Sequence, residues 1–149
     1  MNRLIMAAES NGGPVIELRR GRSVTAQEAV SRAAVLLARD LGARAIAAHT
    51  TRGLTARFIA AGREPIPLLA FTPHSEIRSQ LSLTWGCETF VVAETSDTDE
   101  MVRQVDHAMI AAGRGKIGDL VVIVAGMPAG RAGNSNTLRV HRLGEPVGQ

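Results

Sequence analysis

The chain has no tyrosine, and aromatic residues make up only 3% of it. Its core must therefore be filled by Ala, Val, Leu and Ile. The single cysteine, Cys87, excludes an internal disulfide and suits a reducing compartment. No apolar run reaches the ~18 residues of a membrane span, and the N-terminus shows no secretory signal. The expectation is a soluble, cytoplasmic protein with no membrane partner. G-x-x-x-x-G-K-[ST] does not occur, so no P-loop is supported. The one G-x-G-x-x-G match, Gly113 to Gly118, stands before a strand and not after one, so a dinucleotide site is not supported either. All but one of the 17 basic residues are arginine, the exception being Lys116. Arginine favours bidentate contacts with carboxylate and phosphate. The one tight basic cluster, Arg19-Arg20-Gly21-Arg22, has no aromatic neighbours for base stacking, and no nucleic-acid partner is expected.

What is present is a chain of 149 residues with net charge +3 and 45% hydrophobic residues. A domain of this size buries ~68–70% of its unfolded surface and needs no staples. Asn2 to Ser10 reads as a short helix closed by Asn11-Gly12-Gly13-Pro14. Residues 1–24 thus form an entry helix and linker, 25–142 an α/β core, and 143–149 a tail, all in one domain. Thr25-Ala26-Gln27-Glu28 has capping-box spacing. It opens a helix whose apolar face is expected at Ala29, Val30, Ala33, Ala34 and Leu37. Gly42 suits its C-terminal cap. Ala45–Ala48, Pro67–Phe71 and Thr89–Val92 read as short strands. Leu120–Ala125 is the strongest strand, continuous enough for the centre of a sheet covered on both faces. Thr72 is expected to cap a helix beginning at Pro73, with Ile77 and Leu81 on its buried side. Asp97 and Glu100 open a further helix with an apolar stripe at Met101, Val105, Ala108 and Met109. Leu138–Arg142 alternates apolar and polar residues as a half-exposed edge strand does.

Strands alternate with helices four times. This predicts a three-layer α/β/α domain around a mainly parallel five-stranded sheet with its edge strand at the C-terminus. Ligands of such sheets bind outside the strands' carboxyl ends, which points to two loops. The first is the turn Thr50-Thr51-Arg52-Gly53, leading into a helix patterned by Leu54, Phe58 and Ala61. Here Gly53 frees the turn and the first helical amides lack internal partners. The hydroxyls of Thr50, Thr51 and Thr55 and the Arg52 guanidinium stand close together, a set that suits a phosphate. A capped turn that binds nothing fits the same residues. The second is the turn-rich loop from Gly126 to Asn136. His49 reads as a packed histidine, not a proton shuttle. His74, His107 and His141 show no metal-ligand spacing with one another or with Cys87. Trp85 suits a core or rim position, and Asp119 a strand entry.

Six segments in order carry a resemblance. They are Thr50-Thr51-Arg52-Gly53-Leu54-Thr55-Ala56-Arg57, Pro67-Leu68-Leu69-Ala70-Phe71-Thr72-Pro73, Gln80-Leu81-Ser82-Leu83-Thr84-Trp85-Gly86, Gly118-Asp119-Leu120-Val121-Val122, Gly126-Met127-Pro128 and Gly133-Asn134-Ser135-Asn136-Thr137-Leu138-Arg139-Val140. Together they resemble the C-terminal domain of pyruvate kinase, from about Met1 to Arg142. Met1 to Glu9 is similar to the helix entering that domain from the catalytic barrel, so the resemblance implies a chain that starts at a domain border.

The resemblance implies a regulatory domain that binds a phosphorylated effector, a sugar phosphate or nucleotide monophosphate, and takes part in subunit assembly. The implied phosphate cradle is Thr50, Thr51, Arg52, Gly53 and Thr55. The implied effector loop runs through Gly126, Pro128, Gly130, Arg131 and Gly133. Magnesium and a monovalent cation serve the family's barrel, so no cofactor is expected in this chain, and no catalysis by it alone. Expected partners are the effector, the barrel if the chain is longer, and a second copy through the C-terminal edge strand. The chain departs from the family in having Arg52 where Ser often precedes the turn glycine, and Arg63-Glu64 where Arg-Pro is common. A stand-alone phosphate-ligand-binding protein of the same fold is the alternative.

Overall fold

The computed structural model describes residues 24–127 and 134–148. The expected entry helix and linker, and Pro128, Gly130, Arg131 and Gly133 of the loop, lie outside the described residues.

Among the described residues four helices and five strands follow one another: α1 (Ala26–Leu41), β1 (Ala45–His49), α2 (Leu54–Ala61), β2 (Leu68–Thr72), α3 (Ser75–Leu81), β3 (Cys87–Val91), α4 (Thr98–Ala111), β4 (Leu120–Gly126) and β5 (Ser135–Arg142). The sheet order is β3-β2-β1-β4-β5. The first four strands are mutually parallel, and β5 runs antiparallel to β4. This is the expected α/β class, a mainly parallel five-stranded sheet with its edge strand at the C-terminus; the antiparallel direction of that strand is added by the structure.

Two cores explain why the strands read as unbroken apolar runs. Ile46, Ala48, Leu68, Ala70, Val122 and Val124 face one side, against Ala34 and Ala38 of α1, Ala56, Ile59 and Ala60 of α2, and Leu81 of α3. Ala45, Ala47, Leu69, Phe71, Val121 and Ile123 face the other, against Val102, Val105 and Met109 of α4. Alternate side chains enter opposite layers, and both layers are apolar. With so few aromatics, alanine carries the tightest approaches: Ala34, Ala38, Ala47, Ala48, Ala56 and Ala70 are all fully buried.

Several local expectations shift. The buried seam of α1 is Ser31, Ala34 and Ala38, while Ala29 and Ala33 are exposed. A serine was hidden from a hydrophobicity pattern because its Oγ donates to the Gln27 carbonyl at 2.8 Å and so meets its own polar need. In α2 the buried residues are Thr55, Ala56, Ile59 and Ala60, while Leu54 and Ala61 are exposed. Thr72 does not cap a helix at Pro73. It is the last residue of β2, and α3 begins at Ser75 after His74. A residue before proline is held extended, which prolongs the strand. β3 starts two residues early, at Cys87, after Gly86 in the left-handed region. β5 starts at Ser135, ahead of the expected Leu138, with a register irregularity opposite Ala125 and Gly126.

The caps are local and legible. Thr25 Oγ1 accepts from the Glu28 amide at 3.2 Å, and Gly42 closes α1 with φ 60°. Asp97 caps α4 by accepting from the Asp99 amide at 2.9 Å. Asp119 orders the entry to β4 by accepting from the Lys116 amide at 2.9 Å. Trp85 is a rim residue with the Arg63 guanidinium 5.7 Å from its ring centroid.

Candidate functional site

The chain runs outward from β1 to β2 and β3, then crosses back to place β4 on the other side of β1. The connections therefore diverge between β1 and β4, and a crevice opens where they part. A cleft lies there, at the carboxyl ends of the parallel strands. His49 and Thr50 come from the end of β1, Pro73 from β2, Val92 to Thr95 from β3, and Gly126 from β4.

The turn after β1 forms one wall. Gly53 has φ 81°, a left-handed conformation that an L side chain enters only with strain. Thr50 Oγ1 accepts from the Gly53 amide at 2.8 Å and closes the turn. Gly53 is also the N-cap of α2 and offers no side-chain cap. The helix has no carbonyl for its first amides, those of Leu54, Thr55 and Ala56, and its dipole adds positive potential there. Arg52 is exposed at the same wall and has no partner among the described residues.

The five residues expected to cradle a phosphate are thus brought together, but not in equivalent roles. Thr50 and Gly53 bond to each other. Thr55 is buried; its Oγ1 accepts from Gln27 Nε2 at 3.2 Å and also meets the Ser135 hydroxyl. Thr51 and Arg52 remain on the open side with the amides of α2. Of the loop residues, Gly126 lies at the cleft as the last residue of β4. A Cβ there would stand 2.5 Å from the Asn134 carbonyl oxygen, so only glycine allows the two strands to approach. Asn136 Oδ1 accepts from the Met127 amide at 2.8 Å, and its Nδ2 donates to the Met127 carbonyl at 2.7 Å. Asn134 Nδ2 donates to that same carbonyl at 2.9 Å. These two asparagines clasp the neck of the loop.

His49 is buried on the cleft floor. Its Nε2–H donates to the Met101 carbonyl at 3.2 Å, and its ring stacks on Phe71 with centroids 5.4 Å apart. Burial lowers its pKa from 6.5 to about 4, against a smaller opposing effect of the Met101 carbonyl. The imidazole is therefore neutral at pH 7, as expected of a packed histidine. His141 is also structural: its Nε2 lies 2.8 Å from Asp106 Oδ1, and Asp106 Oδ2 accepts from the Gly144 amide at 3.2 Å.

Sequence reasoning missed Gln27, Glu94 and Gln104, which also line the cleft, whereas Ser135, also in the lining, lies within the loop it nominated. Glu94 carried a usable signal, since it follows a strand and the carboxyl-end rule applies to every strand in the sheet. Gln27 and Gln104 carried none, each being an ordinary polar residue inside a helix.

A profile of the family described as "Pyruvate kinase, alpha/beta domain" matches residues 28–141. A pyruvate kinase of Mycobacterium tuberculosis (strain ATCC 25618 / H37Rv) is 45% identical over 148 residues, which cover 97% of this chain and 30% of that protein. A pyruvate kinase of Corynebacterium glutamicum is 42% identical over 145 residues, with the same two coverages. The chain thus spans about 30% of the length of these relatives. Among solved structures, a pyruvate kinase from Cryptosporidium parvum superimposes with a TM-score of 0.74 at 22% identity, covering 95% of this chain and 26% of that one. That likeness bears on the fold alone.

Proposed function

The chain belongs to the pyruvate kinase family, matching its C-terminal alpha/beta domain, and from that premise we propose that it binds a phosphorylated effector and helps to join subunits, without transferring a phosphoryl group itself. The observation that carries this reading is the cleft between β1 and β4, where Arg52 and the first amides of α2 converge unpaired. A phosphate needs such a set: fixed N–H donors, a guanidinium fork and a positive helix end. The neighbouring residue Thr51 adds a hydroxyl. The loop clasped by Asn134 and Asn136 leaves β4 at the cleft, so a ligand there lies beside the path into β5.

The chemistry of phosphoryl transfer would belong to the rest of a longer pyruvate kinase. Among the described residues, no three His, Cys, Asp or Glu side chains gather as a metal centre requires. On this reading magnesium and the monovalent cation serve the barrel, and no residue of this chain is assigned to them.

Calorimetry on the 149-residue chain, with a panel of sugar phosphates and nucleoside monophosphates, tests the site. The double variant Thr51→Ala, Arg52→Ala removes one half-buried and one exposed side chain and should cost tenfold or more in affinity, the usual scale (~1.5–3 kcal/mol) of a lost charge-assisted hydrogen bond. Unchanged binding in that variant, or no binding by any phosphorylated compound at millimolar concentration, would overturn the assignment. Phosphoenolpyruvate-dependent ATP synthesis by the purified chain would overturn its non-catalytic role.

A further inference from the structure

The cleft is electrostatically two-ended. Among the described residues its lining holds one cationic side chain, Arg52, and one anionic side chain, Glu94, and neither has an ion-pair or hydrogen-bond partner there. His49 is neutral. Arg52 follows β1 and Glu94 follows β3, with β2 between them. Two strand spacings set the separation of the two ends at ~10 Å, on the scale of a phosphorylated sugar.

The end near β3 presents acceptors. Glu94 contributes a carboxylate. Gln104, on α4, spends its amide on the Ala93 carbonyl, to which Nε2 donates at 2.9 Å. This bond fixes which way the amide faces and leaves Oε1 buried without a partner. A buried acceptor with no donor is costly. A wall formed by a free carboxylate and an unmet amide oxygen calls for hydroxyl or amino groups and opposes a second phosphate.

Building on the phosphate reading above, we propose that the cleft selects ligands with a single phosphate and a donor-rich far end, and that Glu94 is the residue that refuses a second phosphate. The phosphate sits at Arg52 and the α2 amides. The ligand's far hydroxyl or amino groups meet Glu94, with the Gln104 amide beside it. A bisphosphorylated ligand would bring two dianions to a lining in which, among the described residues, the one cation, Arg52, is matched by the one carboxylate, Glu94.

Fructose 6-phosphate and fructose 1,6-bisphosphate differ only in the second phosphate, and calorimetry with both on the full chain tests the proposal. The monophosphate should bind about tenfold or more tightly than the bisphosphate, because like charges placed together across a site are strongly disfavoured. Glu94 is exposed and unpaired, so Glu94→Lys should fold normally; it should shrink that preference to near one or invert it. Equal or tighter binding of the bisphosphate by the unaltered chain, or a ratio unmoved by Glu94→Lys, overturns the selectivity and leaves the phosphate site standing. Failure of both sugars to bind at millimolar concentration overturns the phosphate site and the selectivity with it.

Discussion

Thr55 and Ser135, 80 positions apart, meet hydroxyl to hydroxyl under the cleft. One belongs to the first turn of α2 and the other is the first residue of β5. Gln27 of α1 joins them by donating to Thr55 Oγ1 at 3.2 Å. Three elements that share no sequence neighbourhood are thus tied by two polar contacts that meet at Thr55, beside the proposed anion-binding wall.

Thr55→Val keeps the shape of the side chain and removes its hydroxyl, leaving Ser135 and Gln27 without their partner. Urea unfolding should show a loss of about 1–3 kcal/mol, the cost of stranding buried polar groups. The double variant Thr55→Val, Ser135→Ala should lose less than the sum of the two single changes, because the second removes a group that the first left unsatisfied. Strict additivity would mean that the two hydroxyls do not act as a pair.

The pH dependence of folding should carry the signature of His49. Its pKa is lowered to about 4 in the folded chain, from 6.5. Above pH 6.5 both states hold it neutral and its contribution is complete. As pH falls below 6.5, the unfolded chain takes up a proton that the folded chain refuses, so stability declines. The decline ends near pH 4, for a total of about 3 kcal/mol. Unfolding free energies of the native chain and His49→Gln, measured from pH 7.5 to 4, should diverge in slope within that window. Parallel curves would show that His49 titrates normally.

The path from sequence to structure was clearest where one physical signal dominated. Leu120 to Ala125 could only be a buried strand, and Thr25, Gly42 and Asp97 each announced a helix end by side-chain chemistry or glycine. The sequence was opaque where polar residues were buried in pairs. Ser31 and Thr55 interrupt the apolar periodicity because each satisfies its hydroxyl internally. The face expected of α1 is right at Val30, Ala34 and Leu37 and wrong at Ala29 and Ala33, while that expected of α2 misses Thr55, Ala56, Ile59 and Ala60. The start of β5 was hidden in the same way: Ser135, Asn136 and Thr137 resemble loop residues until the neighbouring β4 supplies their partners. At the site, the Thr-Thr-Arg-Gly turn was legible as a group. The division of labour within it was not, because a hydroxyl's direction depends on residues as remote as Gln27 and Ser135.

Self-association through β5 is the remaining expectation from the fold. This strand pairs with β4 on one side, and no described strand pairs with its other side. An open edge presents unpaired amides and carbonyls, which proteins seldom leave bare. Two residues beside it are apolar and exposed: Val140 on β5, at 44%, and Leu36 on α1, at 54%. α1 packs against β5, so edge and helix offer one continuous surface to a second copy. A twofold contact would pair each edge with itself and cover both apolar residues. Light scattering at tens of micromolar should therefore give a dimer. Val140→Lys should shift it toward monomer by about tenfold or more in dissociation constant, since each dimer would bury two added charges. The exposed position of Val140 means that the variant should unfold at nearly the same urea concentration as the native chain. A monomer at these concentrations, or a dimer indifferent to Val140→Lys, would place any subunit contact on another surface.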